Sequence, residues 1–130
     1  MLALTSEKGS RVTYISILPK NENAQSRMTD NRDEVMDLLF AAAKDILQIP
    51  DTDIIVELNR CTTVSFNRAA VHAGAAPDVV LKFATSDQYL QPRFQTLCDR
   101  VVDGWNSQFG DIKLEVWVSL IDTWGTNADL

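Results

Sequence analysis

Between positions 11 and 124 the chain passes twice through one pattern: a short alternating apolar stretch, a longer one with apolar residues every three or four positions, then a second alternating stretch. Alternation marks a strand and the three-to-four step marks a helix, so each pass spells β-α-β. The strands of such a unit run parallel and are joined by a right-handed crossover, which lays the helix on one face of the sheet. Two consecutive βαβ units side by side predict an α+β fold: a four-stranded sheet with two helices on one face, in a single domain of 130 residues.

The first unit is expected over 11–68, after an extension over 1–10 whose Ser-Glu-Lys-Gly-Ser ending is polar and turn-prone. Residues 11–18, Arg-Val-Thr-Tyr-Ile-Ser-Ile-Leu, read as a strand closed by Pro19. Residues 20–28 show no apolar period and read as a long loop. Thr29, Asp30 and Asn31 offer oxygens to open a helix, with Asp33 and Glu34 suited to its positive end. Val35, Leu38, Leu39, Ala42, Ala43, Ile46 and Leu47 give it a buried stripe, and Pro50 ends it. Residues 53–59 alternate again, with Ile54, Val56 and Leu58 on one side.

The second unit, expected over 78–125, follows a small-residue stretch at 69–77 that holds the single histidine, His72. Residues 78–84 read as a strand, Pro92 as the first residue of a helix, and Gly110 as its stop. Phe94, Leu97, Cys98, Val101, Val102, Trp105 and Phe109 form the stripe of that helix. Leu114, Val116, Val118 and Leu120 then face together on a last strand over 114–121. The opposite sheet face collects Tyr14, Ile55, Lys82, Trp117 and Ile121, too apolar a set for solvent, which predicts a partner subunit over part of it.

A net charge of −6 and a pI near 4.6 argue against nucleic acid and anionic membrane surfaces as partners. No apolar run approaches the roughly 18 residues of a membrane span, and residues 1–4 are too short for a signal sequence, so a cytoplasmic protein is expected. Cys61 and Cys98 lack the spacing of a zinc site or a redox pair and read as buried thiols. No glycine-rich phosphate loop, paired-histidine spacing or nucleophile elbow is present, so no metal and no cofactor is implied.

Five features of the first unit carry a more specific signal: Tyr-Ile-Ser-Ile-Leu ending at Leu18, Arg27 ahead of an acid-rich helix start, Leu-Gln-Ile-Pro ending at Pro50, Ile-Ile-Val-Glu-Leu ending at Leu58, and Phe66. From Arg27 to Phe66 the sequence resembles the 4-oxalocrotonate tautomerase family without a gap. The second unit, through Asp-Thr-Trp-Gly ending at Gly125, is similar in layout to malonate semialdehyde decarboxylase and related double-unit chains of the tautomerase superfamily. The resemblance implies a homotrimer with sheets facing its centre, acting on small keto, enol or haloacid carboxylates through an amino-terminal proline. That proline serves as acid or base because a secondary amine in a dry, cation-lined pocket gives up its proton near neutrality.

Here the first strand opens on Arg11 instead, behind ten residues of extension, and Leu2 is a poor residue for removal of the initiator methionine. A guanidinium stays protonated at physiological pH and cannot act as the base. Pro77, near the head of the second unit, has an amide nitrogen and is no base either. By the resemblance, Arg27 would grip a substrate carboxylate and Phe66 would line the pocket wall, while a second arginine of the family falls on Ile55, with Arg60 and Arg68 near enough in sequence to substitute. Each has a plainer reading. Arg27 can be a solvated loop arginine, Phe66 a core or interface residue, Arg11 the ionic partner of an acid such as Glu57, and His72 a surface histidine. Trp124 can close a neighbour's pocket or anchor the carboxyl-terminal loop.

Two functions follow. One is an isomerase-like enzyme on small keto or enol carboxylates, binding through Arg27, Phe66, Arg11 and Trp124 without the usual base. The other is a non-catalytic trimer that holds a small anion on the same scaffold. A ferredoxin-like module of unrelated ancestry also runs βαββαβ; it interleaves the two units in its sheet, so strand order separates the two folds.

Overall fold

The computed structural model describes residues 13–60 and 76–121. Its elements are β1 (Thr13–Pro19), α1 (Glu22–Asp30), α2 (Arg32–Ala42), β2 (Ile54–Leu58), β3 (Val79–Thr85), α3 (Phe94–Phe109) and β4 (Leu114–Leu120). The sheet order is β2-β1-β3-β4. β1 runs parallel to β2 and β3 parallel to β4, while β1 and β3 meet antiparallel, Ser16 opposite Lys82. The two units therefore lie side by side, and the interleaved ferredoxin-like order is excluded.

The alternation of the strands sorts their side chains as expected. Ile15, Ile17, Val79, Leu81 and Phe83 point into one core with Met28, Val35 and Leu39 of the first crossover and Leu97, Val101 and Trp105 of the second. Trp105 is wholly buried and its Nε1 donates to the Ile112 carbonyl at 3.0 Å, which ties α3 to the turn before β4. On the other face Tyr14, Ile55, Trp117 and Ile121 remain 46, 40, 55 and 39% exposed, values that leave a large apolar surface in water. Lys82 is exposed among them.

Four local expectations are corrected. The segment expected as a loop over 20–28 is largely helical: Asn21 caps α1, its side chain accepting from the Ala24 amide at 2.8 Å. Only Ala24 and Met28 of α1 are buried, one pair four residues apart, too short a stripe to show as a period. Arg27 accordingly sits in a helix and not on a loop. Asn31, expected to open the next helix with its side chain, closes α1 instead, its Nδ2 donating to the Arg27 carbonyl at 2.8 Å. Pro92 is not the first residue of α3. Asp87 accepts from the Tyr89 amide at 3.0 Å and starts a 3-10 turn over Gln88–Arg93, which houses the proline before the α-helix begins at Phe94. Finally, α2 runs on through a π-turn at Ala43–Leu47 and ends where Gln48 turns left-handed at φ 58°, two residues ahead of Pro50.

Gly110 does follow α3, but at a right-handed φ of −63°. The glycine is needed for space, because a Cβ there would come within 2.8 Å of the Asn106 carbonyl oxygen. No helix among the described residues is long and apolar enough to cross a membrane.

Two stability predictions follow from these contacts. Gln48→Gly relieves the left-handed backbone and should raise the free energy of unfolding by about 0.5–1 kcal/mol, read as a higher urea midpoint at unchanged m-value. Trp105→Ala should lower it by about 3–5 kcal/mol through the cavity and the stranded Ile112 carbonyl.

Candidate functional site

Polar side chains knit together the end of the sheet where β1 finishes and β3 and β4 begin. Asp78 is the hub. Its Oδ1 accepts from Asn21 Nδ2 at 3.1 Å and its Oδ2 from the Lys113 amide at 2.9 Å. Its carbonyl accepts from the Lys20 amide at 2.8 Å, and its own amide donates to the Lys113 carbonyl at 2.8 Å. One carboxylate thus fixes the exit of β1 against the entries of β3 and β4.

Arg27 stands beside this hub, in the last turn of α1. Its Nη1 donates to Asp111 Oδ2 at 2.8 Å and its Nη2 to Asp111 Oδ1 at 3.3 Å, a two-pronged grip on the turn between α3 and β4. About a third of the Arg27 side-chain surface and two-thirds of that of Asp111 stay open to water (35% and 68%). The hydrogen bond to Asp111 holds the guanidinium pKa above its ordinary value. The same bond, helped by the Asp111 backbone amide, holds the carboxyl below the usual aspartate range. The guanidinium assigned to a substrate carboxylate therefore already grips a carboxylate of its own chain. Arg60 is exposed just beyond β2, whose neighbouring Asn59 amide donates to the Ile17 carbonyl at 3.0 Å; it lies at this same end of the sheet.

The opposite end is where β1 begins. Thr13 and Thr85 are buried there on the helix side of the sheet. Thr85 Oγ1 accepts from the Asp87 amide at 3.3 Å, whereas Thr13 Oγ1 has no hydrogen-bond partner among the described residues. The strand from Thr13 to Pro19 is about 20 Å long. Within one copy, then, the head of β1 and the Arg27 guanidinium sit at opposite ends of the sheet. Arg11, Phe66, Arg68, His72 and Trp124 lie outside the described residues, as does Cys61. Ile55, onto which the sequence resemblance would place a second arginine, is on the open sheet face and pairs with Tyr14.

Asn21, Asp78 and Asp111 went unread in the sequence. Asn21 could have been found as a cap and Asp78 as an acid at a strand head, but nothing local marks Asp111, which meets Arg27 across 84 positions. Cys98 is half-buried on α3, and burial pushes its thiol pKa up, which makes it a poor nucleophile. A depression of about 370 Å³ between α2 and the turn after it is lined by Asp37, Phe40, Ala41, Lys44 and Asp51 and bridged by a Lys44–Asp51 ion pair of 3.5 Å. It includes none of the residues singled out in the sequence.

No family model matches the chain, and no curated protein matches it in sequence. Solved structures do match. The MIF2 protein of Leishmania major superposes with a TM-score of 0.59 at 14% identity, covering 92% of this chain and 97% of that one. A 5-carboxymethyl-2-hydroxymuconate delta-isomerase gives 0.61 at 12% identity over 93% and 89%. The chain has the tautomerase fold. A macrophage migration inhibitory factor-like protein of Entamoeba histolytica shares the tautomerase fold as well, at a TM-score of 0.52 and 12% identity over 91% and 96%. The alignments run nearly end to end on both sides, so the whole double unit is shared.

The ion pair yields a titration with a definite sign. Because the folded Asp111 carboxyl ionises below its unfolded value, the pair's contribution to stability is complete above the unfolded value and is lost as pH falls through the lowered one. Carbon-13 NMR of the Asp111 carboxyl should show a midpoint below the ordinary aspartate range, moving back up in Arg27→Met.

Proposed function

We propose that this chain is an isomerase-like protein of the tautomerase superfamily that works as a homotrimer on small keto or enol carboxylates, without an amino-terminal proline as its base. The observation that carries the reading is the side-by-side order of two βαβ units, shared along nearly the whole chain with an isomerase. The sequence resemblance adds the substrate class and the residues: Arg27 for the carboxylate, Phe66 for the pocket wall, Arg11 at the strand head, and Trp124 as a closing side chain.

The same geometry supports the self-association in this proposal. Arg27 and the head of β1 are a strand's length apart within one copy, so a pocket using both Arg27 and the head of β1 takes them from different copies. The open face with Tyr14, Ile55 and Trp117 is the surface available for that contact. In such a pocket Arg11 cannot accept a proton, but its fixed positive charge can stabilise the negative charge that develops on an enolate oxygen while water carries the proton.

A specific observation favours a second reading, a trimer that binds an anion without turning it over. The Arg27 fork is filled by Asp111, so a ligand must displace that carboxylate. The pair is exposed and screened, and an incoming carboxylate competes with it on nearly equal terms.

Ketonisation of phenylenolpyruvate, with calorimetric binding of phenylpyruvate measured in parallel, tests both. The enzyme reading expects turnover, with kcat/KM falling about ten- to a hundred-fold in Arg27→Ala, as for loss of a hydrogen bond to a charged group. Asp111→Asn, which frees the guanidinium, should tighten binding by about two- to five-fold. Saturable binding without turnover, abolished in Arg27→Ala, selects the second reading. Neither turnover nor binding in the native protein would refute the proposed ligand class.

A further inference from the structure

On the sheet face away from the helices, the strand register sets four side chains in one row across the sheet. Glu57 pairs with Ser16, Ser16 with Lys82, and Lys82 with Trp117. Glu57 and Lys82 stand on strands separated by β1, so their backbones are about 10 Å apart at two strand spacings. Both are exposed. The ion pairs of the described residues join Arg27 to Asp111, Lys44 to Asp51 and Arg100 to Asp45, and none of them includes Lys82 or Glu57. Trp117 beside Lys82 is steadied by its indole N–H, which donates to Glu115 Oε2 at 2.9 Å.

Apolar side chains surround this row. Tyr14 and Ile55 stand side by side one step toward the head of β1, and Ile121 lies at the same end, its amide donating to the Thr85 carbonyl at 2.8 Å. The second acid of this face, Glu115, already accepts from the Trp117 indole, so covering the face with an apolar partner would take Lys82 and Glu57 out of water without an ion pair of their own among the described residues. The occupant must bring an acid to Lys82 and a base to Glu57. A second copy of this chain carries both, and in a ring of copies Lys82 of each can meet Glu57 of the next.

We infer that the open face docks onto a second copy of this chain with Lys82 of one copy paired to Glu57 of the other, so that this charge pair sets the register of assembly. The inference rests on the self-association proposed above and adds the contact that specifies it. A face held only by Tyr14, Ile55 and Trp117 could slide; a charge that must meet its opposite disfavours the shifted registers.

Charge reversal tests this on the whole chain, with sedimentation velocity over a range of concentrations at low and high salt and a thermal melt of each variant to confirm folding. Both side chains are exposed, so the substitutions leave the core untouched. The native protein should associate more weakly at high salt. Lys82→Glu and Glu57→Lys should each raise the dissociation constant at least about tenfold, which is roughly 1.4 kcal/mol. The doubly exchanged variant, with both substitutions, should recover association to within about threefold of the native protein. Single reversals that associate like the native protein, or a double exchange that stays as weak as the singles, would overturn the pairing while leaving self-association intact. A native protein that is monomeric at every concentration would overturn the self-association reading and the pairing with it.

Discussion

The antiparallel seam between β1 and β3 is the constraint from which the rest of the architecture follows. Each βαβ unit is right-handed, so each places its helix on a definite side of its own strand pair. Joining two such units at antiparallel inner strands relates them by a half-turn about an axis through the sheet, and a half-turn of that kind keeps both crossovers on the same face. All three α-helices therefore share one core, with Trp105, Leu39 and Phe83 within it, and the second face is left without a layer of its own. The uncovered Tyr14, Ile55 and Trp117 are a consequence of topology and not an accident of composition.

The same half-turn puts the heads of the two units at opposite ends of the sheet. The head of β3 is built as a joint: Asp78 ties three chain segments together, and the Arg27–Asp111 pair closes the turn beside it. The head of β1 is a different environment, with Thr13 buried and its hydroxyl unpaired among the described residues. A chain organised in this way separates its strand-head position from its carboxylate-gripping arginine by the length of a strand. Under the proposed self-association, a neighbouring copy would be the route by which the two meet.

Much of this was legible in the sequence, and the exceptions share a cause. The strands and α3 announce themselves because their apolar residues repeat over whole elements: Leu114, Val116, Val118 and Leu120 mark β4 as clearly as Leu97, Val101 and Trp105 mark α3. The placement of Tyr14, Ile55, Lys82 and Trp117 on one face followed from alternation alone. What stayed hidden depends on single polar side chains. α1 is held by one asparagine cap and two buried residues, too little for a periodic signal. Gln48, whose left-handed backbone ends the helix, carries no cue of the kind a glycine would give. Strand order is set by contacts between the two units, which no local pattern records. The partner of Arg27 is equally non-local, so the sequence could propose a guanidinium for a ligand without revealing that Asp111 already occupies it.

An experimental structure of the assembled protein soaked with a small keto carboxylate tests the central claim most directly. The account predicts the ligand carboxylate within about 3 Å of the Arg27 guanidinium, Asp111 displaced from it, and the head of β1 contributed to the same cavity by a neighbouring copy. Arg27 still clasped to Asp111 with the ligand bound elsewhere, or a cavity enclosed within one copy, would contradict it.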